Sequence, residues 1–249
     1  MHAQNRDICF TKKILYMHYA IIAAGEGSRL VSEGMKLPKP LVQLNGKAMI
    51  DRLIQIFINN HASAVSIIIN EQSGQLREHL ASLNPAIPLN VVVKSTPSSM
   101  HSFRELSSFL LNDKFCLTTV DTVFREEEFA RYINAFREND EADGLMAVTS
   151  YIDDEKPLYV NVDNQLKITG FSSTPGSQYV SGGIYCLSPK VLPVLQQAVE
   201  QGMSRMRNFQ QQMIESGFNL LAFPFAKIID VDHIEDIKKA EEFILSVNG

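Results

Sequence analysis

The sequence has little of what a membrane protein or a nucleic-acid-binding protein needs. No apolar run approaches the roughly 20 residues of a membrane-spanning helix. The 23 lysines and arginines are outnumbered by 28 aspartates and glutamates, so the net charge is −5. Binding to nucleic acid or to an anionic membrane requires a basic face. We therefore expect neither nucleic acid nor a membrane as a partner.

Cysteine is also scarce. The three cysteines, Cys9, Cys116 and Cys186, are widely spaced and form no metal-ligand pattern. Cys116 and Cys186 lie within apolar runs, so we predict that they are buried thiols. Such thiols fit a reducing, cytoplasmic setting. Internal repeats, low-complexity linkers and a hexapeptide array are likewise absent from the sequence.

What is present is the composition of an ordinary globular protein. The 249 residues are 45% hydrophobic and 20% charged, which is enough for one sizeable α/β domain. Residues 1–16 differ from the rest, because they are polar and basic and contain no apolar core of a signal peptide. We expect them to be a disordered arm, or the product of a start site assigned too far upstream. Residues 17–249 are expected to form a single domain.

Apolar strands alternate with amphipathic helices up to residue 150. Strands are predicted from residue 19 and at 64–70, 89–93, 115–120 and 144–149, with helices at 48–60, 74–83, 99–111 and 126–136. This alternation predicts a mostly parallel sheet with right-handed crossovers, and ligands that bind beyond the carboxyl ends of its strands. Strands at 158–162, 166–171 and 179–187 then predict a small antiparallel insert over 151–187. The expected class is α/β, a three-layer αβα sandwich of Rossmann-like type.

The first predicted strand leads into a stretch suited to phosphate. Two small residues, Ala23 and Ala24, precede Gly25-Glu26-Gly27-Ser28-Arg29. Glycines let the backbone approach a ligand closely, and successive N–H groups in such a turn form a concave anion site. Arg29 and Lys39 can add a bidentate and a point-like cation.

A dinucleotide-binding fingerprint is the alternative interpretation of this stretch. That fingerprint has a third glycine where Leu30 stands, and its helix opens at once. Here we expect a loop with two prolines, Pro38 and Pro40, instead of that helix. The pattern therefore disfavours an NAD-dependent oxidoreductase.

The complete string resembles a known enzyme family. It consists of Ala-Ala-Gly-x-Gly-Ser-Arg-Leu at 23–30, Pro-Lys-Pro-Leu at 38–41 and Asn-Gly-Lys at 45–47. It resembles the sugar-phosphate nucleotidylyltransferases, also called nucleoside-diphosphate-sugar pyrophosphorylases, which have a GT-A-like Rossmann fold of the nucleotide-diphospho-sugar transferase type. The resemblance covers most of residues 17–247. It implies Mg²⁺-dependent transfer of a nucleoside monophosphate from a nucleoside triphosphate to a sugar 1-phosphate or alcohol phosphate, with release of pyrophosphate.

The resemblance also implies roles for individual residues. Arg29 would bind the β- and γ-phosphates, and Lys39 the α-phosphate or the incoming phosphate. The backbone of the Ala-Ala-Gly segment would contact the base, and the serine-rich segment 94–100 would form a second wall of the base pocket. The predicted nucleotide-binding residues are Ala23, Ala24, Gly25, Glu26, Gly27, Ser28, Ser95 and Ser99.

Carboxylates at two places suggest a magnesium site. Asp121 follows the fourth predicted strand, where a carboxylate suits Mg²⁺, although a turn or capping role is the alternative. Asp230 and Asp232 alternate, so they share one face of an extended segment, and this segment resembles the closing motif of the family. We prefer Asp232 as the second ligand, with Asp230 as the alternative. Asp232 could also cap the last helix together with Glu235; the adjacent His233 is expected to be a bystander.

The acceptor side differs more from the family. Gly182 and Gly183 lie in Ser-Gly-Gly-Ile-Tyr at 181–185, which resembles the segment that faces the sugar, so that 151–187 would be an acceptor-side lobe. A paired glycine can also mark a bulge. Lys227 is a candidate for the acceptor phosphate, or else a solvated lysine. The family's Glu-Lys-Pro is replaced here by Ser-Ser-Thr-Pro at 172–175, which leaves phosphocholine or a polyol phosphate open as the acceptor.

Two further functions fit the same fold. A catalytically weak regulatory subunit that binds nucleotide or sugar phosphate would tolerate the missing Glu-Lys-Pro, but it has no need of Arg29, Lys39, Asp121 and Asp232 together. A retaining glycosyltransferase would have an Asp-x-Asp at the end of the fourth strand, where Thr119 and Val123 flank Asp121 at two residues' distance. Nucleotidyl transfer is therefore the preferred interpretation.

Overall fold

A computed structural model describes residues 16–153 and 156–246 of the chain. The predicted arm, apart from Tyr16, and Cys9 lie outside these residues. The strands are β1 (Met17–Ala23), β2 (Gln43–Leu44), β3 (Lys47–Ala48), β4 (Ala62–Ile69), β5 (Leu89–Val93), β6 (Phe115–Thr119), β7 (Thr122–Val123), β8 (Gly144–Thr149), β9 (Tyr159–Val162), β10 (Ile168–Ser172), β11 (Tyr179–Leu187), β12 (Leu220–Phe225) and β13 (Ile229–Asp230). The helices are α1 (Ser28–Ser32), α2 (Met49–Asn59), α3 (Gly74–Ser82), α4 (Ser99–Leu106), α5 (Glu126–Arg137), α6 (Leu192–Glu200), α7 (Met206–Glu215) and α8 (Ile234–Leu245).

A mostly parallel sheet forms the centre of the molecule, as predicted. Its order is β10-β9-β11-β6-β1-β4-β5, with β8 beside β11 and β12 beside β8. β1 is parallel to β4 and β6, and β4 is parallel to β5. All residues of β1 except His18 are buried, as expected for a strand covered by helices on both faces.

Two apolar cores cover the two faces of the sheet. One lies under α2, α3 and α5, where Tyr19 of β1 stacks on Phe57 with ring centroids 4.4 Å apart. The other lies under α4, α6 and α7, where the rings of Phe103 and Phe209 are 5.6 Å apart. The architecture is therefore the predicted three-layer αβα sandwich. Cys116 and Cys186 are buried free thiols, as predicted.

A third, smaller core is what shapes the carboxyl edge of the sheet. It joins α8 to the segments that follow β1 and β6, and its buried members are Leu30, Val42, Leu44, Met49, Val123, Ile229, Val231, Ala240 and Phe243. The short strand β13 pairs antiparallel with β7 beside this core. The last helix is thus fastened against the region after β1.

The structure corrects two details of the sequence interpretation. The loop expected after Gly27 contains the one-turn helix α1, because Gly27 turns the chain in the left-handed region (φ 60°) and Pro38 and Pro40 lie well past the turn. β11 lies inside the main sheet, antiparallel to both β6 and β8. Among the described residues of the insert, only β9 and β10 extend the sheet on that side. In the part of the chain described, no helix is both long and apolar enough to cross a membrane.

Candidate active site

Four charged side chains meet beyond the carboxyl ends of β1 and β6. Arg29 lies in α1, and Lys39 opens the 3₁₀ turn Lys39–Leu41. Asp121 follows β6, and Asp232 follows β13. The pairing of β13 with β7 brings the two aspartates together, and the Val231 N–H donates a 3.1 Å hydrogen bond to the Asp121 carbonyl. These are the two predicted cations and the two preferred metal ligands.

Lys39 is the centre of this group. Its Nζ donates to Asp121 Oδ2 and to Asp232 Oδ1, each at 2.5 Å, and its side chain is only 9% exposed. Arg29 Nη1 donates to Asp232 Oδ2 at 2.6 Å. Burial by itself would lower the Lys39 pKa, but the charges and hydrogen bonds of the two aspartates outweigh it and raise the pKa above its ordinary value. The ammonium is therefore a charged group at neutral pH.

The two aspartates fit a Mg²⁺ ion. Asp121 Oδ1 is buried and has no hydrogen-bond partner among the described residues, so one carboxylate oxygen is left for a further ligand. Within the described residues, no group of three or more His, Cys, Asp and Glu side chains is placed to hold a metal. Mg²⁺ is commonly held by only one or two carboxylates together with phosphate oxygens. Asp230, the alternative ligand, lies within β13 and lines two neighbouring cavities.

A nucleotide-sized cavity of about 560 Å³ opens in front of these residues. Six of the predicted nucleotide-binding residues line it, namely Ala24, Gly25, Glu26, Gly27, Ser28 and Ser99, and so do Arg29, Lys39, Asp121 and Asp232. Ala23 does not line it, because Ala23 is the last residue of β1 and packs into the core with 2% exposure. Ser95 does not line it either; its hydroxyl donates to Oδ1 of Asn70, which does line the cavity, at 3.2 Å.

The predicted second wall, segment 94–100, also contributes Thr96, Pro97 and Ser98 to this cavity. The lining residues that the sequence interpretation missed are Ile22, Asn70, Ser102, Thr119 and Val120. Asn70 could have been found, because it follows β4 at the same edge of the sheet at which Asp121 follows β6. Ser102 and Thr119 carry no comparable pattern in the sequence.

A second cavity of about 430 Å³ shares Asp121 and Asp232 with the first. Gly183 lines it in the left-handed region (φ 71°), where a Cβ would also lie 3.3 Å from Thr122 Oγ1. Gly182 instead faces a third cavity of about 500 Å³, and a Cβ there would collide with Ile228 Cδ1. Of the predicted acceptor-binding pair, Gly183 thus lies at the second cavity and Gly182 does not. The alternative interpretation, a bulge, agrees with the shift of the β11–β8 register between Ser181 and Tyr185.

Lys227 is not brought to these cavities. Its Nζ lies 4.1 Å from the ring centroid of Tyr151 and 5.5 Å from that of Phe243, a cation–π arrangement that suits a packing role. The cations of the second cavity are Lys156, Arg205 and Arg207. Arg205 and Arg207 stand at the start of α7, and the sequence interpretation missed them.

A model of the family described as nucleotidyl transferase matches residues 19–247. The chain belongs to this family. Among curated relatives of this nucleotidyl transferase, the bifunctional protein GlmU of Methanococcus maripaludis (strain C5) is 23% identical over 210 residues, which are 81% of this chain and 48% of that protein. The chain thus spans about half the length of that relative. The 2-aminoethylphosphonate cytidylyltransferase of Lancefieldella rimae is 32% identical over 76 residues, 30% of this chain and 29% of that protein.

The fold of this nucleotidyl transferase also matches solved structures. A putative glucose-1-phosphate thymidylyltransferase from Bacillus anthracis superposes with a TM-score of 0.80 at 18% identity. The match covers 94% of this chain and 97% of the other. At this identity the likeness supports the Rossmann-like fold.

Helix α8 fastens Asp232 to the segment that follows β1 in this nucleotidyl transferase. Its N-cap is His233, so the predicted Asp232–Glu235 capping pair is wrong by one residue. Asp236 accepts from the N–H groups of His233 (2.8 Å) and Asp232 (3.2 Å). Glu33, just after α1, accepts from the Ile234 N–H at 2.7 Å and contacts His233 Nδ1 at 2.5 Å.

The Glu33–His233 contact perturbs both groups. The hydrogen bond with His233 lowers the pKa of Glu33, and the same hydrogen bond raises the pKa of His233. His233, expected to be a bystander, therefore helps to hold the segment that carries Asp232.

Proposed function

We propose that this protein is a Mg²⁺-dependent nucleotidyltransferase. It transfers a nucleoside monophosphate from a nucleoside triphosphate to a sugar 1-phosphate or alcohol phosphate, and pyrophosphate is released. The observation that carries the proposal is the convergence of Arg29 and Lys39 on Asp121 and Asp232 at the junction of two cavities. One cavity is suited to the nucleotide and the other to the acceptor.

The proposed reaction makes one bond and breaks one. A phosphate oxygen of the acceptor attacks the α-phosphorus, and the bond from the α-phosphorus to the bridging oxygen of the β-phosphate breaks. The attacking oxygen is already deprotonated at neutral pH, so no general base is needed. Catalysis then consists of positioning the two substrates and of stabilising the charge that develops on the α-phosphate oxygens and on the leaving pyrophosphate.

The side chains of this site suit those tasks. Lys39, fixed by two aspartates, would hold the α-phosphate, and the more exposed Arg29 would bind the β- and γ-phosphates. Asp121 and Asp232 would hold Mg²⁺, which supplies neutralisation of charge on the triphosphate oxygens when bound. The backbone from Gly25 to Ser28 would donate N–H groups to phosphate.

The direct test is release of pyrophosphate. Purified protein with Mg²⁺ is assayed across the common nucleoside triphosphates against sugar 1-phosphates and alcohol phosphates. We expect one pair to release pyrophosphate and Asp121→Asn to lower the rate by roughly 10²–10³. Asp140→Asn is the matched control, because Asp140 is 95% exposed and pairs with Lys114 away from the site. Nucleotide binding without any release of pyrophosphate would favour a regulatory subunit instead.

A further inference from the structure

The second cavity contains buried polar groups that the fold leaves without partners. Gln210 of α7 is 1% exposed, and within the described residues neither atom of its amide has a partner in good hydrogen-bond geometry, although the Tyr185 hydroxyl is near enough to interact with it. Ser181 Oγ, on β11, is also buried and unpartnered there. Both residues line the cavity. Buried polar groups are almost always hydrogen-bonded in folded proteins, so two such groups facing one cavity indicate a bound polar ligand.

Tyr185 completes this polar wall. It lines the same cavity and lies four residues after Ser181 in β11. Burial raises the pKa of its phenol and the charge of Asp230 adds to this, while weak interactions with the Ser181 hydroxyl and the Gln210 amide and the charge of Arg207 act in the opposite direction. The three side chains are thus close neighbours, and each can exchange hydrogen bonds with a hydroxyl group.

Arginines at one side of the cavity suit the phosphate of an acceptor. Arg205 and Arg207 stand at the start of α7, a 10-residue helix whose N-terminus also favours anions. Arg207 Nη1 donates to Ser173 Oγ at 3.0 Å, which holds its guanidinium beside β10. Two guanidinium groups attract a phosphate. The cavity is also lined by the ammonium of Lys156 and by three carboxylates, those of Asp121, Asp230 and Asp232, so the choice among acceptors depends on hydrogen bonding more than on net charge.

We propose that Gln210 and Ser181 determine acceptor specificity by binding hydroxyl groups of a polyhydroxylated phosphate monoester. This inference rests on the proposed function. A sugar or polyol hydroxyl both donates and accepts, so it can satisfy both atoms of the Gln210 amide. A quaternary ammonium group can do neither, and a primary ammonium group can only donate. Alcohol phosphates with a cationic tail are therefore disfavoured acceptors.

The test compares two classes of acceptor and two glutamine variants. Glucose 1-phosphate and inositol 1-phosphate represent hydroxylated acceptors; phosphocholine and 2-aminoethylphosphonate represent cationic ones. We expect turnover with a hydroxylated acceptor, and in Gln210→Leu an acceptor KM about tenfold higher with an unchanged nucleotide KM. The variant should also melt at a higher temperature than the wild type, because two unpartnered buried polar atoms are gone.

Gln212→Leu is the matched control. Gln212 lies in the same helix and its Oε1 is also buried with no partner in the described part of the chain, but it does not line the cavity. This variant should keep the acceptor KM of the wild type. An equal rise of the acceptor KM in both variants would show a general effect on α7 and overturn the proposal.

Calorimetric titration distinguishes failure of the specificity proposal from failure of the proposed reaction. Acceptors are titrated into the protein with Mg²⁺ and a nucleotide analogue that cannot be cleaved between its α- and β-phosphates. Hydroxylated acceptors that bind, and bind more weakly to Gln210→Leu, support the specificity proposal even without turnover, and that result would reject only the reaction. Preference for phosphocholine or 2-aminoethylphosphonate would overturn the specificity proposal while the reaction stands. Absence of both binding and turnover would reject both.

Discussion

Replacing Lys39 by methionine should destabilise the protein and make its stability depend strongly on Mg²⁺. The Lys39 ammonium lies 2.5 Å from one oxygen of Asp121 and 2.5 Å from one oxygen of Asp232. Methionine has a similar length and no charge, so it leaves two carboxylates facing one another. Asp121 Oδ1 already lacks a hydrogen-bond partner among the described residues, which adds to the unfavourable energy.

The size of the effect follows from the exposure of the partners. Removing one partner of a buried ion pair costs about 3–5 kcal/mol, whereas exposed pairs contribute about 0–1 kcal/mol. Lys39 is 9% exposed, but Asp121 and Asp232 are 20% and 39% exposed, so water relieves part of the repulsion. We expect a loss of about 2 kcal/mol, or a fall in Tm of about 4–8 °C for a chain of this size.

Thermal denaturation in EDTA and in Mg²⁺ is the assay. In the wild type the ammonium competes with the ion for the same carboxylates, so Mg²⁺ should raise the Tm of Lys39→Met more than that of the wild type. Because pairing raises the Lys39 pKa above 10.5, its contribution is fully present at neutral pH and is lost only as pH rises through the raised value. The comparison at pH 7 therefore measures the full effect.

Lys47→Met is the control, since Lys47 lies exposed on β3, outside the site cavities. It should leave both the Tm and the Mg²⁺ response unchanged. The reasoning is refuted if Lys39→Met and the wild type have the same Tm in EDTA and Mg²⁺ raises both Tm values equally. In that case the ammonium does not hold the two aspartates together.

Three further predictions concern the sheet that carries the site. Gly182→Ala should cost about 1–3 kcal/mol in urea unfolding because the new Cβ meets Ile228 Cδ1, and Ile228→Val should recover part of that loss; an unchanged midpoint would refute the contact. Burial lowers the pKa of His18, whose Nε2 contacts Ser66 Oγ at 2.8 Å, so the unfolded chain binds more protons and stability falls as pH drops below 6.5. His18→Gln should therefore flatten the decline of Tm from pH 7 to pH 5, and a parallel decline would count against it. Burial raises the pKa of the Cys116 thiol, so Cys116 should react with a thiol reagent only after denaturation, as mass spectrometry of the labelled peptides would show.

Much of the fold could be predicted because its patterns are local. β5, β8 and β11 have the predicted bounds, residue for residue, because turn residues flank short apolar runs. α4 was predicted to run to Leu111, but its α-helical part ends at Leu106 and a 3₁₀ turn follows at Ser107–Phe109. The place of β11 between β6 and β8 could not be predicted, since strand order depends on contacts between distant segments.

The same distinction between local pattern and distant contact applies to the residues of the site. Arg29, Lys39 and Asp121 follow apolar strands or belong to a recognisable string, so residue type and position were enough to select them. Lys227 was selected in the same way, yet its ammonium packs on Tyr151. Gln210 carried no signal, because an amide on an amphipathic helix looks like any solvated residue.

The sequence by itself determined the alternation of strand and helix, the glycine-rich turn after β1 and the charged residues available for phosphate and metal. Only the tertiary structure decided which of these meet. Asp232 reaches Asp121 through the two-residue pairing of β13 with β7, and Glu33 reaches the start of α8 across 200 residues of chain. Hydrophobic periodicity is a property of neighbours in the chain, whereas these contacts arise from the packing of a small third core that no local pattern encodes.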